Sequence, residues 1–180
     1  MYRLDHMQVQ ARQMTEEEFS KRFPSPVFVS QYVAIGDLKK AGARHSKGGT
    51  RGRTMHHIKD TPDLKLQPVL SERWIAISRN SDGIAHPWLT VGRDRTSDIM
   101  INDYTVSATH ARLHFLPLVS RILLADAQST NATAHNGAIL QDDEQRMLVD
   151  KDQVRFGRMV FAFFRAKTFH HYLRHRPPPE

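Results

Sequence analysis

The chain has 180 residues, of which 39% are hydrophobic and none is cysteine. This length suits one domain with an additional segment, and the lack of cysteine excludes disulfides, thiolate metal ligands and cysteine nucleophiles. No run in the sequence approaches the ~18 apolar residues of a membrane span, and the first residues lack the apolar stretch of a secretory signal. We therefore expect a cytoplasmic protein with no membrane partner.

The net charge of +7 is concentrated in one segment of the chain. Residues 39–60 contain seven lysines and arginines and one aspartate, which leaves a charge of +6 in this stretch. Since basic stretches bind polyphosphates, one hypothesis is that the chain binds nucleic acid through residues 39–60. No aromatic residue lies within the stretch, and its four glycines and like charges favour a mobile, solvated loop instead.

The first predicted element is a short helix over residues 16–22. Thr15 and Glu18 form the S/T-x-x-E pattern of a capping box, and Phe23-Pro24 ends the helix. Residues 26–35 are apolar and β-branched enough for a strand or a buried connector. The sequence leaves open whether this region packs on the rest of the chain or extends from it.

From about residue 70 the sequence consists of short alternating runs separated by turn residues, at the spacing of an all-β sandwich. The Asn136-Gly137 pair predicts a type I′ hairpin, because both turn positions require positive φ. The predicted strands are Arg73–Arg79, Trp88–Arg93, Ile99–Ile101, His110–Phe115, Arg121–Asp126, Gln153–Phe156 and Val160–Phe164.

The last predicted element is a helix from Ala166 to Arg176. Phe169, Tyr172 and Leu173 share one of its faces, and the prolines that begin at Pro177 end it. The predicted organisation has three parts, which are an N-terminal extension (1–67) with the basic loop, a β-sandwich (68–166) and a C-terminal helix and tail (167–180).

Four sequence blocks in the predicted sandwich carry the functional signal. They are Gly92-Arg93, Ser107-Ala108-Thr109-His110-Ala111, the run from Asp126 through Ser129-Thr130-Asn131 to Asn136-Gly137, and Asp152-Gln153-Val154-Arg155-Phe156-Gly157. In order and spacing these blocks resemble the signature of the forkhead-associated (FHA) domain. Four blocks in register over about 65 residues are far more specific than a single short motif.

The resemblance implies an all-β fold, a sandwich of two sheets in which loops at one end bind a phosphothreonine-containing protein. It implies that Arg93 grips the phosphate and that Ser107 hydrogen-bonds it. Asn131, with Thr130 nearby, would hold the main chain of the partner beside the phosphothreonine. Gly92 and His110 match positions that shape the site from behind. The implied function is that of a signalling adaptor downstream of a Ser/Thr kinase, without a cofactor.

The properties of these side chains also suit the binding of a phosphothreonine peptide, independently of the resemblance. A phosphothreonine carries close to two negative charges and three strong acceptor oxygens. The guanidinium of Arg93 is planar, always charged and able to engage two oxygens together. A hydroxyl such as that of Ser107 adds a donor, and the carboxamide of Asn131 pairs with both the N–H and the C=O groups of an extended peptide.

Two positions depart from the pattern of the family. Ala132 stands where the family usually has glycine, and if the position needs a left-handed conformation the alanine costs about 1–2 kcal/mol. Ala108 follows Ser107 where many members have a basic or polar residue that contacts phosphate. Arg95, or a residue of the basic segment, is a candidate substitute for that contact.

Two alternatives follow from these departures and from the remaining residues. The first is a scaffold that does not depend on phosphate and uses a sheet face or the N-terminal region to assemble a complex. The second is a metal site at His171 and His175, which share a helix face but have no nearby carboxylate or cysteine. We expect no metal and no catalytic residue, because the motifs of hydrolases, metalloproteases and nucleotide-binding loops do not occur in the sequence.

Overall fold

A computed structural model describes residues 1–38, 64–79, 88–116 and 121–177. The predicted basic loop and the nucleic-acid hypothesis attached to residues 39–60 lie outside the described residues. The helices are α1 (Leu4–Gln13), α2 (Glu16–Arg22) and α3 (Ala166–His175). The first six strands are β1 (Tyr2–Arg3), β2 (Val27–Ile35), β3 (Lys65–Pro68), β4 (Arg73–Ala76), β5 (Trp88–Gly92) and β6 (Ile99–Met100). The later strands are β7 (Ala111–Leu116), β8 (Arg121–Asp126), β9 (Thr133–His135), β10 (Ala138–Ile139), β11 (Gln145–Met147), β12 (Gln153–Phe156) and β13 (Met159–Phe164).

These strands form two sheets, which confirms the predicted β-sandwich. The large sheet has eight strands in the order β1-β4-β2-β13-β12-β9-β10, and β3 also pairs with β2. The small sheet has five strands in the order β11-β8-β7-β5-β6, and its β5–β6 pair is parallel. The predicted hairpin is present between β9 and β10, where φ is 49° at Asn136 and 85° at Gly137.

The region before residue 68 supplies three strands of the large sheet. In particular, β2 pairs with β13 along six positions and is flanked on its other edge by β3 and β4. The N-terminal region is therefore part of the sandwich, a point that the sequence left open.

Alternation along the strands separates two cores. Inward-facing side chains of both sheets meet in a first core, in which Phe28, Phe156, Phe161 and Phe163 pack against residues such as Leu113. Each of these phenylalanines is fully buried, and burying such a side chain contributes about 1.5–3 kcal/mol.

The opposite face of the large sheet carries the second core. Along each strand, the residues that alternate with the inward-facing ones point away from the sandwich. They pack under a layer formed by α1, α2 and α3. This core consists of Leu4, Met7, Ala11, Phe19, Val27, Val29, Ala162, Phe164, Phe169 and Leu173. The predicted apolar face of the C-terminal helix is thus confirmed, since Phe169 and Leu173 are buried and Tyr172 packs beside them.

The helical layer also joins the two ends of the chain. The buried side chain of Gln8 in α1 donates from Nε2 to the carbonyls of Arg176 and Pro177, at 2.8 and 3.1 Å. In α3, His170 Nε2 lies 3.0 Å from the Ala11 carbonyl and 3.1 Å from the Met14 carbonyl. The His170 contacts involve carbonyl groups at the end of α1, and the Gln8 contacts involve carbonyl groups at and after the C-cap of α3, where helix ends leave such groups without a helical partner.

The capping box of α2 is present as predicted. The Thr15 hydroxyl accepts a hydrogen bond from the Glu18 amide at 3.3 Å, and the Glu18 carboxylate accepts one from the Thr15 amide at 2.8 Å. The helix ends where Phe23 leaves the helical region of φ and ψ.

The two tryptophans lie in different layers. Trp74 packs against the second core, with its ring centroid 6.1 Å from that of Phe169. Trp88 lies on the outer face of the small sheet, where it stacks on His114 at a centroid distance of 5.7 Å under the guanidinium of Arg112. Among the described residues, no helix is long and apolar enough to cross a membrane.

Candidate functional site

Three loops and one turn meet at one end of the sandwich, and hydrogen bonds from main-chain amides join them. They are the loop after β5 (93–98), the loop before β7 (101–110), the loop after β8 (127–132) and the turn Gly157-Arg158. The Arg93 amide donates to the Ser107 carbonyl at 2.9 Å. The Thr130 amide donates to the Ser107 hydroxyl at 3.0 Å.

Arg93 follows β5 directly and is exposed at this end. Its Nε donates to the Val106 carbonyl at 3.2 Å, so the guanidinium is held along one edge beside the Ser107 loop. The Ser107 hydroxyl donates to the Thr130 hydroxyl at 3.4 Å and accepts from the Thr130 amide at 3.0 Å. The structure therefore brings Arg93, Ser107 and Thr130 together.

Gly92 permits the close approach of the two loops beneath Arg93. A Cβ atom at this position would overlap the carbonyl oxygen of Ala108 and crowd the Ser97 hydroxyl. Only glycine lets the β5 strand end pass this close to the Ser107 loop.

His110 lies behind the site with no exposed surface and connects two of its loops. Burial lowers the pKa of His110 to about 4, so the ring is neutral at pH 7. Its Nδ1 accepts a hydrogen bond from the Ser107 amide at 3.0 Å. Its Nε2 lies 3.3 Å from the Ala132 carbonyl and 3.2 Å from the Gly157 amide, so the ring contacts three of the elements that meet at the site.

Asn131 is fixed on the neighbouring loop. Its Nδ2 donates to the Thr105 carbonyl at 2.8 Å, across the gap between the loops. The next residue, Ala132, has a φ of 54°, so this alanine adopts the left-handed conformation that glycine favours. The left-handed φ thus occurs at the position where the sequence departs from the family pattern.

Asp126 organises the Asn131 loop from below. One of its carboxylate oxygens accepts from the Ser129 hydroxyl at 2.6 Å and from the Thr133 hydroxyl at 2.7 Å, and both residues also donate their amides to the carboxylate. Burial alone would raise the pKa of Asp126, but these hydrogen bonds outweigh burial and lower it. The sequence motif contains this aspartate, yet its role was not predicted.

A second unpredicted group lies beside Asn131. Arg158 binds Asp103 through two nitrogens, with Nε at 2.9 Å and Nη2 at 2.8 Å from the same carboxylate oxygen. The Arg158 guanidinium also lies 4.5 Å from the ring centre of Tyr104, which is 78% exposed. Thr105 links this group to Asn131, because its hydroxyl accepts from the Arg158 amide and its carbonyl from Asn131.

The turn that carries Arg95 folds onto Ala108. The amide of Asp94 donates to the Ala108 carbonyl at 3.2 Å, and the hydroxyl of Ser97 donates to it at 3.3 Å. Arg95 and Thr96, between them, are exposed. The candidate substitute for a polar residue at 108 is therefore a close neighbour of that position.

The alternative metal site at His171 and His175 has no third ligand among the residues that the structure describes. The rings of His171 and His175 lie against each other with centroids 4.0 Å apart. Within the described ranges, no group of three histidine, aspartate or glutamate side chains is placed to hold a metal ion.

The fold and the site together define a two-sheet β-sandwich with a polar, arginine-containing site built from the loops at one end. Residues 89–157 match the model of the FHA domain family, which confirms the resemblance predicted from the four sequence blocks. This part of the chain, 69 of its 180 residues, is therefore similar to FHA domains. No curated protein matches the chain.

Several solved structures of FHA domains are similar to this chain. The FhaA FHA domain complexed with the intracellular domain of Rv3910 is 28% identical over 44% of this chain and 82% of that one, with a TM-score of 0.39. The N-terminal FHA domain of S. cerevisiae RAD53P, in complex with a phosphothreonine peptide, is 23% identical over 47% and 73%, with a TM-score of 0.40. The FHA domain of an Arabidopsis thaliana hypothetical protein is 17% identical over 78% and 86%, with a TM-score of 0.45.

Proposed function

We propose that this chain binds phosphothreonine-containing segments of partner proteins and acts as an adaptor downstream of a Ser/Thr kinase. FHA domains bind phosphorylated motifs through arginine. The observation that carries the proposal is the placement of the exposed Arg93 beside the Ser107 loop, with its amide on the Ser107 carbonyl and its Nε on the Val106 carbonyl.

The charge of the ligand fits this arrangement. A phosphothreonine carries close to two negative charges, and a guanidinium restrained along one edge loses little entropy when it engages two phosphate oxygens. The Ser107 hydroxyl, at the same rim, is the second donor to the phosphate. Asn131, fixed through Thr105, is the residue that we assign to the main chain of the bound peptide.

Arg93 alone supplies one positive charge to the phosphate, and Arg95 is the cation that we assign as the second. The turn around Arg95 packs on Ala108, as described above, and among the described arginines near the site Arg158 is already paired with Asp103. Arg95 thereby compensates for the missing polar side chain at position 108.

A screen of the full chain against a phosphothreonine peptide library tests this proposal. We expect micromolar or tighter binding that is lost with the unphosphorylated peptides, lost in the Arg93→Ala variant and weakened but not lost in Arg95→Ala. Arg121→Ala is the matched control, because Arg121 is exposed at the end of β8 remote from Asp126 and the site. Peptide binding that survives both dephosphorylation and Arg93→Ala would sink the proposal and favour the phosphate-independent scaffold.

A further inference from the structure

Arg155 is a buried arginine beside the loops of the site. It lies on β12 between Val154 and Phe156, whose side chains fill the first core, so its own side chain lies on the opposite face of the sheet. Only 6% of Arg155 is exposed. Arginine is seldom buried to this extent unless it is paired.

The contacts of Arg155 lead to the loops of the site. Its Nη1 donates to the Gly157 carbonyl at 2.5 Å and to the Asn131 carbonyl at 3.3 Å, so one nitrogen joins two of the elements that meet there. Its Nη2 is buried and has no hydrogen-bond partner among the described residues. Burial lowers the pKa of Arg155 to about 10, which still leaves the guanidinium charged at pH 7.

Arg155 lies between two apolar strand neighbours. The strand neighbours of Arg155 are Val160 on β13 and Ala134 on β9, and both are buried and apolar. An apolar side chain of similar length would fit beside these neighbours, but it would leave the Gly157 and Asn131 carbonyls without this donor. The feature that an apolar residue cannot supply is the donor shared by the two carbonyls.

We propose that Arg155 is a positioning residue that holds the main chain at Asn131 so that the Asn131 side chain is presented to the bound peptide. The inference rests on the proposed function. Asn131 is restrained twice, by Thr105 on its side chain and by Arg155 on its main chain. The second restraint matters here because the following residue, Ala132, holds a left-handed φ that is unfavourable for a residue with a Cβ atom.

A double-mutant cycle on the full chain separates positioning from general stability. With the best phosphothreonine peptide of the library as the probe, we expect Arg155→Met to weaken binding about tenfold. In the Asn131→Ala background the same substitution should cost less than about twofold, because there is no side chain left to position. Arg155→Lys keeps a charged donor and should bind more tightly than Arg155→Met. If the methionine variant does not fold, Arg155→Gln, which is neutral and shorter, takes its place.

A second measurement tests the inference without any peptide. The Asn131 side-chain amide should give two well-separated proton resonances in the wild type, shifted from free-asparagine values by its bond to Thr105. In Arg155→Met these resonances should move toward free-asparagine values. Unchanged resonances, or an equal loss of affinity with and without the Asn131 side chain, would overturn the inference. A wild type that binds no phosphopeptide refutes the proposed function instead, and the resonances then decide the role of Arg155.

Discussion

The neutral ring of His110 connects the geometry of the site to the stability of the domain. In the unfolded chain a histidine has a pKa near 6.5, whereas burial lowers the pKa of His110 to about 4 in the folded chain. Between these values the unfolded state binds more protons than the folded state. The stabilisation is therefore complete above pH 6.5 and is lost as the pH falls toward 4, with a maximum effect of about 3 kcal/mol.

We expect the free energy of unfolding to decrease between pH 6.5 and pH 4, as measured by urea denaturation at several pH values. In His110→Gln the protein should be less stable at pH 7, but its stability should change less across this interval. The lowered pKa values of Asp126, Asp103 and Asp152 act in a different window, because their stabilisation is present above the ordinary aspartate pKa and is lost at lower pH. Equal slopes for both proteins between pH 6.5 and 4 would contradict the assignment.

Ala132→Gly should change the free energy of unfolding by less than about 1 kcal/mol. Glycine relieves about 1–2 kcal/mol of left-handed strain, but it loses a buried methyl worth about 0.8 kcal/mol and makes the unfolded chain more flexible. The control is Ala111→Gly, on β7, where the alanine is equally buried and has no positive φ. That substitution should cost about 1.5 kcal/mol or more. Equal losses in thermal or urea denaturation would show that the Ala132 conformation is not strained.

The sequence alone indicated the special position of Ala132 but not the burial of Arg155 or the exposure of Phe115. The departure at Ala132 could be recognised because the family pattern usually has glycine at this position. The role of Arg155 could not, since strand alternation shows only that it faces away from Phe156, and its burial depends on loops more than twenty residues away in the chain. Phe115 shows the same limit. By strand alternation it shares a face with Leu113, yet it is 51% exposed, near the end of its strand.

Among the elements, α2 depends most directly on its own sequence. Replacing Thr15 by alanine removes the hydroxyl that accepts from the Glu18 amide, and we expect a loss of about 1 kcal/mol in the free energy of unfolding. Thr15→Ser retains the hydroxyl and should stay within about 0.5 kcal/mol of wild type. Thermal denaturation followed by circular dichroism measures both, and an alanine variant as stable as the serine variant would argue against the cap.

Local signals explain which elements could be predicted. The cap and the Phe23-Pro24 stop predicted α2, and the apolar face of α3 predicted that helix. By contrast, α1 has Arg3 at its N-cap without a side-chain hydrogen bond, and its buried face includes Gln8. Its stabilising contacts come from α3 and from the carbonyls near the end of the chain, so no short-range pattern reveals it.

For the molecule as a whole, the decisive pairing is that of β2 with β13. We expect a fragment limited to residues 68–166 to be unfolded or aggregated, because it lacks β2 and α3. Without them Phe161, Phe163 and Phe164 lose much of their cover, and burial of each contributes about 1.5–3 kcal/mol against a typical net stability of about 5–15 kcal/mol. The measurement is a nitrogen–proton correlation spectrum of the fragment beside the full chain. A dispersed spectrum from the fragment would contradict the prediction.

This pairing could not be derived from the sequence, although the sandwich itself could. The sequence of residues 26–35 predicts a strand or a buried connector. Their partner strand, however, begins at Met159, more than one hundred residues later. Period-two alternation predicts that a strand has two faces. It does not specify which distant strand lies beside it or whether helices cover its outer face.

The placement of Trp74 and Trp88 gives the protein two separate optical reporters. Trp74 senses the helix-covered side of the large sheet, and Trp88 senses the solvent side of the small sheet. With two tryptophans in the chain, replacing either one by phenylalanine leaves a single emitter that follows one layer. Detachment of the helices from the sheet would then change the Trp74 emission before that of Trp88, whereas a single cooperative transition would change both at the same denaturant concentration.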